Sequence, residues 1–135
     1  MIYAAKSGNI NIFKCLFENG CNGSLKVYSY AAYVGHIDFL KYLMYLNEIT
    51  YDNDRFPAKQ VYNAAASGGH LNILQFLNEK GYRWDQSTCI SAAIYGQLNV
   101  LQYLHQNGCP WDVDMCKHVA RNGQLEVLKY SHENG

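Results

Sequence analysis

The sequence predicts an all-α solenoid of stacked helix-turn-helix repeats. Three observations carry that prediction: an internal repeat in register, apolar spacing of helical period around a recurrent glycine, and paired small residues just before that glycine. The glycine falls at Gly8, Gly35, Gly69, Gly96 and Gly123, at intervals of 27, 34, 27 and 27 residues. The unit reads Ala-Ala-x-x-Gly-x-Leu/Ile-x-apolar-apolar-x-x-Leu, and it is clearest from Gly96 to Asp112.

The first helix of each copy is expected to end at the small-residue pair. These pairs are Ala4-Ala5, Ala31-Ala32, Ala65-Ala66 and Ala92-Ala93, with Val119-Ala120 as the departure. Small side chains let two helices approach closely, and the glycine that follows permits a tight turn into an antiparallel partner. Ser24, Asp85 and Asp112 are suitable N-caps for three of these first helices. The second helix starts just after the glycine. Apolar residues two, four, five and eight positions on form one face of an amphipathic helix about ten residues long. Five positions on stand Phe13, Leu40, Leu74, Leu101 and Leu128; eight positions on stand Leu16, Leu43, Leu77 and Leu104, then Ser131. Asn19-Gly20, Asn107-Gly108, Asn134-Gly135 and the variant Lys80-Gly81 follow these helices. Glycine there is expected to take the left-handed conformation that closes a helix.

The unit divides the chain into a partial repeat over 1–23, repeats over 24–57, 58–84 and 85–111, and a terminal partial repeat over 112–135. The long interval carries an insertion at 47–57, with Asn47 where the helix-end glycine should be and turn chemistry in Asp52-Asn53-Asp54. Pro57 can open the next helix, where a missing N–H costs no hydrogen bond. A leucine-rich repeat has a similar period, and Leu101-x-x-Leu104-x-x-Asn107 resembles its motif. The helical offsets on both sides of the glycine argue against the alternating strand it requires.

Composition narrows the function classes. The 135 residues are 49% hydrophobic and 16% charged, so a folded chain is expected. Eleven basic residues balance eleven acidic ones, which gives no overall electrostatic footprint for nucleic acid or an anionic membrane. No apolar run approaches the ~20 residues needed to span a bilayer, and the N-terminus lacks the features of a secretory signal. A cytoplasmic protein is therefore expected, and its five cysteines, with no CxxC, are expected to be free thiols.

Ala-Ala-x-x-Gly-His, two adjacent aliphatics, a further leucine and Asn-Gly together resemble the ankyrin repeat. Gly35-His36 and Gly69-His70 keep that family's Gly-His pair, whereas Asn9, Gln97 and Gln124 replace the histidine in the other copies. The resemblance covers nearly the whole chain and lies nearest to short-repeat ankyrin proteins of giant DNA viruses and some protists. An ordinary ankyrin repeat has about 33 residues. The residues missing here lie between the helix-end glycine and the alanine pair. The resemblance therefore implies an ankyrin-like solenoid whose β-hairpin fingers are shortened or absent. In the insertion either a full-length finger survives or an irregular loop protrudes; we favour the loop.

The chemistry-bearing residues point away from catalysis. His36 and His70 share one repeat position, His105 and His132 share another, and no histidine pair has the spacing of a zinc protease. A structural or surface role is expected for them. Cys89 and Cys116 are equivalent in successive first helices, as are Cys21 and Cys109 in the loops; we expect small buried hydrophobes, with stacked zinc sites as the alternative. Trp84 and Trp111, and the row Tyr42, Phe76, Tyr103 and Tyr130, are expected to pack between repeats. No nucleophile elbow, P-loop or dinucleotide fingerprint occurs. We expect no enzyme activity and no cofactor.

In a solenoid, stacking residues repeat and recognition residues vary. Positions five before the glycines read Tyr3, Tyr30, Ala64, Ser91 and His118. Positions two before read Lys6, Tyr33, Ser67, Ile94 and Arg121, and positions one before read Ser7, Val34, Gly68, Tyr95 and Asn122. All fall on the first helices or their last turns, which the resemblance implies line a concave face. Tyrosine and arginine are enriched at protein interfaces. The candidate partner-binding residues are therefore Tyr30, Tyr33, Ile94, Tyr95, His118 and Arg121, with Asp52 and Arg55 in the insertion; ordinary surface variation is the alternative. The expected function is a protein–protein interaction scaffold. Rival readings are a substrate-recruiting fragment of a viral or host ubiquitin-ligase adaptor, located in the host cytoplasm, and a structural segment of a longer array. End-to-end self-association is a further option. Residues 1–20 are expected to fray, and Ser131, Lys129, His132 and Glu133 to give the last helix a partial polar cap.

Overall fold

The computed structural model describes residues 1–21, 24–50, 56–110 and 113–134. Among these residues the chain forms ten α-helices and no strand: α1 (Ile2–Ser7), α2 (Ile10–Glu18), α3 (Lys26–Val34), α4 (Ile37–Thr50), α5 (Ala58–Gly68), α6 (Leu71–Glu79), α7 (Gln86–Ile94), α8 (Leu98–Gln106), α9 (Val113–Arg121) and α10 (Leu125–Glu133). The odd-numbered helices are the first helices of the repeat and the even-numbered ones the second.

Helices α1, α3, α5, α7 and α9 pack on one another in a continuous row. The alanine pairs at 4–5, 31–32, 65–66 and 92–93 are all fully or almost fully buried, so backbones in this row meet at close range. They therefore serve stacking between copies as well as pairing within one. The second helices bring larger side chains to the core, including Phe39, Leu40, Leu74, Leu77, Leu101 and Leu104, and are spaced more widely. One closely spaced row beside one widely spaced row bends a stack toward the closer row. The first helices thus lie on the inner side.

Hydrogen bonds lock successive copies in register. His36 Nε2 donates to the Lys6 carbonyl (3.0 Å) and His70 Nε2 to the Tyr33 carbonyl (2.9 Å). Gln97 Nε2 donates to the Ser67 carbonyl (3.0 Å) and Gln124 Nε2 to the Ile94 carbonyl (3.2 Å). Histidine and glutamine therefore alternate at one repeat position because each reaches the carbonyl two residues before the previous glycine. That explains the glycine more fully than the turn does. Gly35 has φ +91°, and a Cβ there would collide with the His70 ring. Asn9, in the first copy, accepts a hydrogen bond from the Ile12 amide (3.0 Å) as the cap of α2.

Aromatic side chains join neighbouring copies as expected. Trp84 meets Tyr103 of the next copy edge-on at 6.0 Å and Tyr62 of its own copy at 5.9 Å, Phe13 meets Tyr42 at 6.3 Å, and His105 meets Tyr130 at 6.0 Å. Lys41 lies over the Phe76 ring at 5.2 Å. Trp111 and Asp112 lie outside the described residues.

Several local expectations need correction. Asp85 caps α7 through the Ser87 amide (2.9 Å), but Ser24 contributes only its carbonyl, to Val27 (2.9 Å), and α3 has no side-chain cap. Pro57 stands at the cap of α5, one residue before the first helical position. Asn47 does not end its helix: α4 continues to Thr50, and Asn47 is buried within it. At the far end of the insertion Phe56 wedges between Tyr28 (5.6 Å) and Tyr82 (4.7 Å). Ser131 is no surface cap, being 3% exposed; its hydroxyl is satisfied within α10 by the Val127 carbonyl (2.9 Å). Nor are all the cysteines free. Cys89 of α7 and Cys109, beyond α8, form a disulfide with their Cα atoms 6.7 Å apart. Repeat equivalence suggested that Cys89 neighbours Cys116. The chain after α8 instead returns to α7, so the bond joins a first helix to a loop.

Candidate functional site

On the inner row the variable positions of α3 and α5 border a concavity. Tyr30 and Tyr33 stand on α3, one turn apart, with Lys26 one turn before Tyr30. These three residues, with Ser29 and with Ala64 of the neighbouring α5, line a groove of about 220 Å³. The groove exists because two tyrosines on α3 face the small Ala64 on α5. Gly68 reinforces the step: a Cβ there would strike the Tyr33 carbonyl, so glycine lets the end of α5 come close to α3. Lys6, on α1, reaches over the Tyr30 ring with its ammonium 5.3 Å from the centroid. Small-molecule sites usually measure ~300–1,000 Å³. This groove is smaller, suited to one inserted side chain.

Between α5 and α7 the inner face is occupied by its own polar contacts. Asn63 Oδ1 accepts from Thr88 Oγ1 (2.9 Å), and Asn63 Nδ2 donates to Ser87 Oγ (2.9 Å). Lys59 pairs with Asp85 at 2.8 Å. Hydrogen bonds from Lys59 and then Ser87 hold the Asp85 carboxyl below the usual aspartate range, despite a small opposing effect of burial. These residues are engaged in holding two copies together, which leaves them less free for recognition.

The sequence-predicted residues separate into two groups. Tyr30 and the 47% exposed Tyr33 share the α3–α5 groove. Ile94, half-buried, ends α7, and Tyr95 follows it, 55% exposed. His118 and Arg121 are exposed on the neighbouring α9. Asp52 and Arg55 lie outside the described residues. Sequence reasoning missed Lys26 and Ser29 because it compared only positions near the glycine. The helical spacing from Lys26 to Tyr30 could have found the first of them.

Among the described residues no three His, Cys, Asp or Glu side chains converge as a metal ion requires. Nor is any helix among the described residues long and apolar enough to cross a membrane. The exposed side of the first helices thus carries aromatic, aliphatic and basic side chains. The family described as ankyrin repeats (three copies) matches residues 28–115. The chain belongs to the ankyrin-repeat family. Ankyrin repeats are non-catalytic modules that bind protein partners. Comparison with curated proteins finds no match.

Proposed function

We propose that this ankyrin-repeat chain is a scaffold that binds a protein partner on the inner face formed by its first helices. One observation carries the reading. The positions that vary between copies, five and two residues before each turn glycine, keep side chains that are half-buried or exposed, whereas the alanine pair between them is buried in the first four copies. Tyr33, two residues before Gly35, and Tyr95, one residue before Gly96, are large side chains that stay exposed. Tyrosine, with two side-chain torsions, loses little conformational entropy on association when it stands on a preordered helical row.

The test replaces Tyr33, Ile94 and Arg121 together with alanine and compares the proteins that variant and wild type retain from a cell lysate. The variant should keep the helical circular dichroism of the wild type while losing the wild type's specific partner. Equal retention by both proteins would rule out this face, and a wild type that retains nothing specific would favour a purely structural segment.

A further inference from the structure

Electroneutrality conceals a separation of charge between the two rows of helices. Within their bounds the first helices carry Lys6, Lys26, Lys59, Lys117 and Arg121 against one acid, Asp114. The second helices carry Glu18, Asp38, Glu48, Glu79, Glu126 and Glu133 against Lys14, Lys41 and Lys129. The acids available to the inner row are already engaged: Asp85 holds Lys59 at 2.8 Å and Asp114 holds Lys117 at 2.7 Å. Lys6, Lys26 and Arg121 have no carboxylate partner among the described residues. Two of these cations flank the groove between α3 and α5, Lys26 as part of its wall and Lys6 over the ring of Tyr30.

We propose that the groove between α3 and α5 receives an acidic segment of a partner protein, with one large apolar side chain seated against Tyr30, Tyr33 and Ala64. The carboxylates beside that side chain meet Lys6 and Lys26. This rests on the inner-face reading above and adds the chemistry of the occupant. Size selects a side chain over a cofactor, since about 220 Å³ falls short of an ordinary ligand pocket. Charge selects acid over base, because a basic segment would bring like charges to two unpaired ammonium groups. Aromatic walls favour an apolar insert: a purely anionic ligand would leave the tyrosine faces uncovered.

The test uses the whole chain, isotope-labelled, and three short synthetic peptides followed by amide chemical shifts. One is Glu-rich with a single central Phe, one has Lys in place of every Glu, and one has Ala in place of the Phe. The first should bind most tightly, shift amides around Lys26, Tyr30, Tyr33 and Ala64, and weaken as sodium chloride rises. Joint replacement Lys6→Glu and Lys26→Glu should weaken it on the order of ten-fold and restore binding of the Lys-rich peptide. Ala64→Leu, which fills the groove, should remove the advantage of Phe over Ala. Tighter binding of the Lys-rich peptide at the same amides would overturn the acidic occupant but leave the inner-face reading standing. Shifts confined to the second helices would sink both. Equal binding of a heparin oligosaccharide at these amides would show a general polyanion site, and no shift with any peptide at millimolar concentration would also defeat the proposal.

Discussion

At the scale of single residues, much of the repeat's pattern traces to hydrogen bonds across copies. If histidine and glutamine are equivalent because each donates to a carbonyl of the preceding copy, His70→Gln should change stability by less than about 0.5 kcal/mol. His70→Ala, which leaves the Tyr33 carbonyl without its donor, should cost about 0.5–1.5 kcal/mol. Denaturant melts of the two variants check this. Gly35→Ala should cost more, because its positive φ alone penalises a Cβ by about 1–2 kcal/mol. Adding His70→Ala to Gly35→Ala should recover the part due to collision with the ring and leave the backbone part. Asp85 makes a second residue-scale prediction. Its folded pKa is lowered by Lys59 and Ser87, so its contribution is complete above the unfolded value near ~3.9 and is lost as pH falls through the folded value. Asp85→Ala should cost about 1 kcal/mol at neutral pH, mostly from the cap, and the deficit should close in strong acid. Asp85→Asn should cost less, since asparagine also caps and the lost ion pair lies in solvent. A deficit that persisted unchanged at acid pH would contradict this account of the carboxylate.

At the scale of elements, the helices were legible because two periodicities coincide: an apolar face within each second helix and the return of Gly with its alanine pair. Leu74, Leu77, Leu101 and Leu104 were readable as core for that reason. Features set by tertiary contact were not. Nothing local announces that Asn47 continues α4 or that Phe56 is held between Tyr28 and Tyr82. Ser131 was misread because polarity stood in for exposure, although a serine can satisfy itself on its own helix. The cysteines show the same limit. Equivalent repeat positions lie one copy apart, whereas the bond joins α7 to the chain beyond α8. Thiol titration of denatured, unreduced protein should therefore find three groups, Cys15, Cys21 and Cys116, and five after reduction. Five before reduction would contradict the disulfide.

At the scale of the whole molecule, stability should be graded along the stack. Helix α5 packs against both α3 and α7, and α7 against both α5 and α9, so these helices have neighbours on two sides. In a nearly one-dimensional array local opening is governed by such nearest-neighbour contacts. Amide exchange should be slowest in α5–α8 and faster in α1 and α2; uniform protection would show that the array opens only as one unit. The groove was only partly legible in the sequence. The variable positions marked Tyr30 and Tyr33, but the groove needed the third dimension, where Ala64 leaves space beside them and Lys6 arrives from another copy. The central claim is that the inner row of first helices is the binding face. With a captured partner purified, amide exchange of the complex against the free chain tests it most directly. New protection should fall on α3, α5, α7 and α9 and spare the outward faces of α4, α6 and α8. Protection concentrated on those second helices would contradict it.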